Sequence, residues 1–205
     1  MKLKVVVSSL AFLFLFGVAA ARADDTPKID VFAGYSYMRG NPSRDSGLHG
    51  FNLNGAQFSV SYNLNSWLSG VAEIDGYHTS RSDVFTCTIG NCPANGITAT
   101  GNLWTYLAGP RFSYRHLGRF TPFAQVLFGA THVTPSVFLT SNQTSFTTAI
   151  GEGFDFRLTR HWSIRPIEVD YLLTHFKENV SALNVNPGSQ PQNNVRATTG
   201  VVFHF

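Results

Sequence analysis

The sequence predicts an all-β fold, an eight-stranded antiparallel up-and-down transmembrane β-barrel. Segments of roughly ten to thirteen residues with a period of two recur along the chain. This length is close to the ~9–11 residues that a tilted strand needs to cross a bilayer. The connections between the segments alternate short and long, and the last segment ends on an aromatic residue, Phe205.

The N-terminus predicts export and sets the boundaries of the domain. Lys2 and Lys4 precede an apolar run, and Ala21-Arg22-Ala23 provides a small-x-small cleavage motif. We therefore expect a secretory signal peptide over residues 1–23 and a single domain over residues 24–205. Because the signal contains three of the 15 basic residues and none of the 12 acidic ones, the mature chain is formally neutral. Neutrality argues against a nucleic-acid partner.

The composition favours a barrel over a helical membrane protein. Aromatic residues make up 14% of the chain and charged residues only 13%. After residue 23, the sequence contains no window approaching the ~20 consecutive apolar residues of a spanning helix. A mature chain that enters a membrane must therefore do so as a closed barrel, since open strands would leave backbone groups unpaired in lipid.

The first four predicted strands each set an apolar row against a polar or small row. Their ranges are 29–38, 51–63, 67–77 and 103–114. In order, the apolar rows are Val31, Ala33, Tyr35 and Tyr37; Ala56, Phe58, Val60 and Tyr62; Leu68, Ala72 and Ile74; and Trp104, Tyr106, Ala108, Phe112 and Tyr114. Phe32 is an exception, since it shares the polar face of the first strand.

The last four predicted strands follow the same pattern. Their ranges are 120–132, 146–157, 162–174 and 194–205. The apolar rows are Ala124, Val126, Phe128 and Ala130; Phe154 and Phe156; Val169, Tyr171 and Leu173; and Val195, Ala197, Val201, Phe203 and Phe205. Val202 is an exception on the opposite face of the closing strand.

Short and long connections alternate along the chain, as a transmembrane barrel requires. The predicted tight turns are 63–66, 115–119 and 158–161, and the predicted long loops are 39–50, 78–100, 133–145 and 177–193. Short turns are typical of the periplasmic side of such barrels and long loops of the external side. A soluble sandwich has no reason to sort its loops in this way.

Four residues depart from an ideal barrel. Pro110, Pro122 and Pro166 fall inside predicted strands although proline cannot donate to a ladder. All three lie near the tight turns, where we expect bulges or strand ends to accommodate them. Glu152 falls in the lipid-facing row, so the sequence predicts either a register shift or an interfacial depth at that position.

Four stretches carry a resemblance to a known family. They are GPRFSY (109–114), TPFAQVLFGA (121–130), FDFRLTRHWSIRPIEVDYLLT (154–174) and the terminal GVVFHF. Through them the chain resembles the small OmpA-like outer-membrane β-barrel proteins over nearly its whole mature length. The chain stops at the barrel, so we expect no peptidoglycan-binding domain.

The resemblance implies a location and partners. It implies a bacterial outer-membrane protein surrounded by outer-membrane lipid and lipopolysaccharide, with both mature termini in the periplasm. It also implies that Val201, Phe203 and Phe205 form the assembly signal read by the barrel-assembly machinery.

Most strand charges fall on the inward face. They are Glu73, Asp75, Arg111, Asp155, Arg157, Glu168, Asp170 and Arg196. Because eight strands enclose little more than their own side chains, we interpret them as a network of ion pairs that fills a polar interior. A narrow, low-conductance ion path through the same network is the alternative.

Cys87 and Cys92 lie in a predicted external loop of an exported chain, so we expect a small disulfide ring that shapes the loop. Closing so short a ring should stabilise the protein by only about 2 kcal/mol. Two sulfurs at this spacing lack the further ligands of a tetrahedral metal site. We therefore expect neither a metal nor a cofactor.

The predicted role is structural or surface-interacting, without catalysis. The long loops could present a recognition surface to an extracellular ligand. The enzymatic alternative is a lipid A-modifying barrel, for which His161-Trp162-Ser163 and His78-Thr79-Ser80 supply His-x-Ser patterns. The first pattern lies beside a predicted periplasmic turn, whereas lipid A occupies the outer leaflet. The second lies just inside a long loop.

Overall fold

The computed structural model describes residues 26–41, 51–83, 97–135, 143–176 and 190–205. These residues form a closed antiparallel barrel in which each strand pairs with the next and the last pairs with the first. The strands are β1 (Ile29–Asn41), β2 (Phe51–Asn63), β3 (Leu68–Asp83), β4 (Ile97–Ser113), β5 (Phe120–Pro135), β6 (Gln143–Arg157), β7 (Trp162–Phe176) and β8 (Gln190–His204). The fold class predicted from the sequence is confirmed. Within the described ranges, no helix is long and apolar enough to span a bilayer.

The outer wall is apolar and strongly aromatic. Its exposed rings include Tyr35, Phe58, Tyr62, Trp104, Tyr106, Phe112, Tyr114, Phe128, Phe146, Trp162 and Tyr171. The inner wall, by contrast, holds buried Arg, Glu, Asp, Gln, Ser and Thr side chains. A soluble barrel has the opposite arrangement, so the wall itself indicates a lipid environment.

One end of the barrel carries the tight turns, and we call it the short-turn end; the opposite end is the long-connection end. In the turn after β2, Asn65 Oδ1 accepts hydrogen bonds from Trp67 N at 3.0 Å and Leu68 N at 2.7 Å. In the turn after β4, Gly118 adopts a φ of 67°, which glycine tolerates without strain. The closing strand ends here too, where Phe205 N donates to Ile29 O at 2.9 Å.

The strands extend further toward the long-connection end than the sequence predicts. β3 continues to Asp83 and β4 begins at Ile97, paired throughout as far as Asp83↔Ile97. The predicted loop 78–100 is therefore wrong at both of its ends. Backbone ladders need no apolar side chains, so the hydrophobic alternation disappears from the sequence before the strand itself ends.

The three prolines are accommodated in different ways. At Pro166 the register of β7 against β8 shifts by one residue between Arg165↔Gly200 and Glu168↔Thr198, which is the bulge that the sequence predicts. Pro122 pairs with Phe154 in the β5–β6 ladder. At Pro110 the β4–β5 register is the same on both sides, at Ala108↔Phe128 and Arg111↔Gln125.

Glu152 is exposed on the outer wall, where it pairs with Ala124 and Val169. The register shift between β6 and β7 lies beyond it, between Phe154 and Phe156. A shift that turns Glu152 inward is therefore the wrong explanation. The carboxylate lies in the same outward row as Ile150 and Phe154.

The interior is less polar than the sequence predicts. Toward the long-connection end lies an apolar layer of Met38, Leu53, Tyr77, Leu107, Leu127 and Leu172, each at most 3% exposed. Toward the short-turn end, Phe32 and Phe123 point inward, at 1% and 4% exposure. The charged side chains lie between these two apolar groups.

Candidate functional site

The structure brings most of the sequence-predicted interior charges together. Glu73, Asp75, Arg111, Glu168, Asp170 and Arg196 are all at most 5% exposed. Asp155 and Arg157 are half-buried and lie nearer the short-turn end. The residue that the sequence reasoning missed is Arg165, which is 1% exposed at the centre of the cluster. We call Glu73, Asp75, Arg111, Asp155, Arg165, Glu168, Asp170 and Arg196 the charge network.

The first half of the network surrounds one guanidinium, and we call it the Arg196 half. Arg196 donates through Nε and Nη2 to Asp170 Oδ2, at 3.0 and 2.8 Å. Its Nη1 donates to Asp75 Oδ2 at 2.6 Å and lies 2.6 Å from Glu73 Oε1. These four side chains are fully buried. One cation therefore makes short contacts with three carboxylates, and a fourth, Glu168 Oε1, lies 3.9 Å from its Nη2.

The second half contains Arg165, Asp155, Glu168 and Arg111, and we call it the Arg165 half. Arg165 binds Asp155 through Nε at 2.7 Å and Nη2 at 3.1 Å, and donates through Nη1 to Glu168 Oε2 at 2.6 Å. Arg111 lies 4.0 Å from Glu168 and donates twice to Gln125 Oε1. Here two cations face two carboxylates.

Gln125 joins the two halves. Its Nε2 donates to Glu168 Oε1 and to Asp170 Oδ1, both at 2.9 Å. Because Gln125 also accepts from Arg111, a single buried amide is hydrogen-bonded to both halves. Such a fully buried polar connection is strong when every member is satisfied and destabilising when one is removed.

Aromatic rings cover the network on its short-turn side. The Arg111 guanidinium lies 4.4 Å from the Phe123 ring centroid, and that of Arg165 lies 4.4 Å from Phe32 and 4.5 Å from Phe123. Cation–π contacts of this kind are strengthened by desolvation. The rings of Phe32 and Phe123 therefore lie against two of the three guanidinium groups of the network on that side.

Arg165 was missed because the bulge at Pro166 reverses the parity of β7. Counting back in steps of two from Glu168 gives Pro166 and Ile164 as inward residues, which would turn Arg165 outward. In the structure Pro166 and Ile167 both face out, and Arg165 and Ser163 face in. The sequence signal was Pro166 itself, since a proline in a central strand predicts a bulge.

A second polar cluster closes the short-turn end. Ser163 Oγ lies 2.7 Å from His204 Nε2, and His204 Nδ1 lies 2.6 Å from Asp30 Oδ1. Asp30 also accepts from Asn63 Nδ2 at 2.8 Å and pairs with Arg115 at 3.4 Å. The serine–histidine–aspartate order is that of a hydrolase triad.

The space beside this cluster is small. A cavity of about 10 Å³ is lined by Asp30, Arg111, Arg115, Asp155, Ser163 and His204, among others. This volume holds about one water molecule. Ser163 is 2% exposed, so an acyl group has no room to approach its oxygen. We interpret the cluster as a hydrogen-bonded closure that joins β7, β8 and β1.

Among the described residues, the first His-x-Ser pattern of the sequence does not form a catalytic pair. Ser163 bonds His204 rather than His161, whose ring stacks on Phe203 at 6.1 Å. His78 is exposed and its Nδ1 lies 2.8 Å from Asn102 Oδ1. The side chain of Ser80 lies outside the described residues.

Of the remaining predicted sites, the structure describes the closing strand and does not describe the cysteines. Val201 and Phe205 are exposed on the outer wall, at 45% and 66%, and the half-buried Phe203 contacts the ring of Trp162 at 4.7 Å. Cys87 and Cys92, like residues 1–23, lie outside the described residues. In the described ranges, no group of three or more His, Cys, Asp or Glu is placed to hold a metal ion.

Comparisons with known proteins add a family and a fold. A family model for the outer membrane protein β-barrel domain matches residues 8–205. No curated protein matches the chain. Among solved structures, the chain is similar to neisserial surface protein A, with 12% identity and a TM-score of 0.61 over 89% of this chain and 100% of that one.

Two other solved barrels are also similar. The attachment invasion locus protein Ail of Yersinia pestis has 14% identity and a TM-score of 0.54, over 88% of this chain and 99% of that one. The outer membrane protein OprG of Pseudomonas aeruginosa has 11% identity and a TM-score of 0.52, over 88% and 96%. At identities this low, the structural similarity shows a common fold and nothing more.

Proposed function

Because the chain belongs to the outer membrane protein β-barrel family and is located in the bacterial outer membrane, we propose that it is a closed scaffold with a structural or surface-interaction role. Family and location agree with the resemblance found in the sequence. We further propose that the interior neither conducts solutes nor carries a catalytic site.

The enclosed charge network is the observation that supports this proposal. Glu168, Asp170 and Arg196 are each 0% exposed, and along the strands they lie between buried Leu127 and Leu172 on one side and buried Phe32 and Phe123 on the other. A conducting path needs charged or polar groups that are in contact with water along its whole length. Here the charges are paired with one another.

The proposed surface interaction involves the long-connection end. All the predicted long loops emerge there, on a barrel whose ladders extend at least to Asp83↔Ile97. A rigid wall that positions variable segments is a common arrangement for recognition. We expect an extracellular ligand at these segments, and outer-membrane lipid and lipopolysaccharide around the aromatic wall.

The final residues are proposed to act during assembly. Phe205 is 66% exposed although it ends the closing strand, so its ring is available to the barrel-assembly machinery. Phe205→Ala should reduce the amount of barrel in the outer membrane without reducing the stability of the barrel that does assemble. Immunoblots of outer-membrane fractions measure the amount of barrel, and Leu117→Ala, another exposed apolar position, is the control. A normal amount of the Phe205→Ala protein in the outer membrane would contradict this role of Phe205.

Planar-bilayer recording tests the closed interior. Purified full-length protein should give no steady conductance, because the network is covered on both sides. A three-residue variant, Phe32→Ala with Phe123→Ala and Leu127→Ala, serves as the positive comparison, since it removes rings and a side chain that cover the charges. Steady channels in the unmodified protein that change selectivity in Glu168→Gln would instead establish the narrow pore.

A reactive fluorophosphonate tests the absence of catalysis. Such probes label activated serines, and the cavity beside Ser163 is too small to admit one. The folded protein should remain unlabelled at a concentration that fully labels a serine esterase. Labelling that disappears in both Ser163→Ala and His204→Ala would identify a working triad and contradict the proposal.

A further inference from the structure

The two halves of the charge network differ in net charge. In the Arg165 half, two guanidinium groups face two carboxylates, so the charges balance. In the Arg196 half, one guanidinium faces Glu73, Asp75 and Asp170. By the short pairs, the excess of two negative charges lies in the Arg196 half, and the more distant Glu168 Oε1, 3.9 Å from Arg196 Nη2, brings no further cation to it.

Unsatisfied oxygens occur in the same place. In the described part of the chain, the buried side-chain acceptors without a hydrogen-bond partner are Gln57 Oε1, Ser59 Oγ, Glu73 Oε1 and Oε2, and Asp75 Oδ1. Only Glu73 Oε1 has a close cation, Arg196 Nη1 at 2.6 Å. Ser59 and Asp75 are 0% exposed and Gln57 is 2% exposed.

These residues are neighbours on the inner wall. Ser59 is directly opposite Glu73, and Gln57 is directly opposite Asp75, in the β2–β3 ladder. Directly opposed residues have Cβ atoms about 4.5–5.5 Å apart, so the four side chains occupy one patch. Burying unpaired acceptors and uncompensated charge together is strongly unfavourable.

We propose that Glu73, Asp75, Gln57 and Ser59 bind one hard divalent cation of the Ca²⁺ or Mg²⁺ class inside the barrel. Carboxylate, amide and hydroxyl oxygens are the ligands that such ions prefer. A charge of two makes the Arg196 half neutral, and the ion supplies a positive partner to the oxygens that lack one. The site uses only two acidic groups, so it depends on the neutral oxygens of Gln57 and Ser59.

This inference is independent of the scaffold role proposed above, since a closed barrel with or without an internal ion has the same outer surface. The sequence led us to expect no metal. The rival means of neutralisation is uptake of two protons by the same carboxylates, and the experiment separates the two.

Metal content is the first measurement. The full chain is expressed in bacteria, purified from outer membranes in detergent without chelator, desalted and analysed by elemental mass spectrometry. We expect about one Ca²⁺ or Mg²⁺ per chain, and background levels in the double variant Glu73→Gln with Asp75→Asn. Glu152→Gln, which removes a carboxylate from the outer wall, should retain the ion.

Refolding is the second measurement, because a buried ion must enter as the barrel closes. Protein refolded with Ca²⁺ or with Mg²⁺ should keep its folded gel mobility to a higher temperature than protein refolded with chelator. Ser59→Ala removes no charge and should fold, yet it should reduce this difference. If wild-type protein refolded with Ca²⁺, with Mg²⁺ or with chelator unfolds at the same temperature in all three cases, the proposed site is wrong. A thermal stability that instead rises as the pH falls would overturn it in favour of protons.

Discussion

The Arg196 half and the Arg165 half of the network are built from the same residue types but are satisfied differently. In the Arg165 half, Asp155 and Glu168 each make a short pair with one guanidinium, and the ring of Phe123 covers both arginines. In the Arg196 half, carboxylate oxygens of Glu73 and Asp75 remain without donors. The difference indicates that one half is complete within the protein and the other is not.

Removing the only cation of the Arg196 half should have the largest effect. Arg196→Met leaves three buried carboxylates facing no guanidinium, and breaking a buried pair in this way costs about 3–5 kcal/mol. The free energy of unfolding can be measured in urea and lipid vesicles from the fluorescence of Trp67, Trp104 and Trp162. Arg119→Met, at an exposed turn position, should change it little. A small loss for Arg196→Met would mean that the carboxylates are already neutral.

Neutralising one carboxylate in each half should give a smaller and unequal effect. Glu168→Gln removes one of the two carboxylate partners of Arg165 and should cost about 2–3 kcal/mol, whereas Glu73→Gln removes an excess charge and should cost less than about 1 kcal/mol in chelator. The same urea titration measures both variants. Equal losses would show that the halves are equivalent and would break the comparison.

Removing the bridge between the halves should have a smaller effect than removing the Glu168 carboxylate. Gln125→Met removes the hydrogen bonds to Glu168, Asp170 and Arg111, at about 1–2 kcal/mol after the methionine fills the volume. A double-mutant cycle between Glu73→Gln and Glu168→Gln should then show less coupling in the Gln125→Met background than in the wild type. Unchanged coupling would mean that the 3.9 Å contact of Arg196 Nη2 with Glu168 Oε1 couples the halves without Gln125.

Local patterns predicted the strands and most inward charges, because period-two alternation records which side of a wall each residue faces. Toward Asp83 and Ile97 the sequence is polar at successive positions, so the alternation disappears. The predicted loop 78–100 is therefore too long. The apolar inner layer was also missed, since residues such as Leu107 and Leu127 were assigned to no face once a polar interior was assumed.

Contacts created by closure needed information that no single strand contains. Asp30, Ser163 and His204 meet because β8 pairs with both β7 and β1. Asp30 and His204 both fall on the polar face in the sequence, so pairing the first strand with the last would have brought them together. The unsatisfied oxygens of Ser59 and Asp75 depend on side-chain distances, which alternation cannot supply.

The bulge at Pro166 has a consequence for how the central ion pair is encoded. In a regular strand, residues three apart face opposite sides, so Arg165 and Glu168 could not meet. The extra residue turns both inward and allows the 2.6 Å pair between them. A salt bridge in the middle of the barrel is thus specified by an imino acid that makes no ionic contact. Replacing Pro166 with valine, so that β7 pairs regularly, would leave every charged residue in the sequence and still put Arg165 and Glu168 on opposite faces.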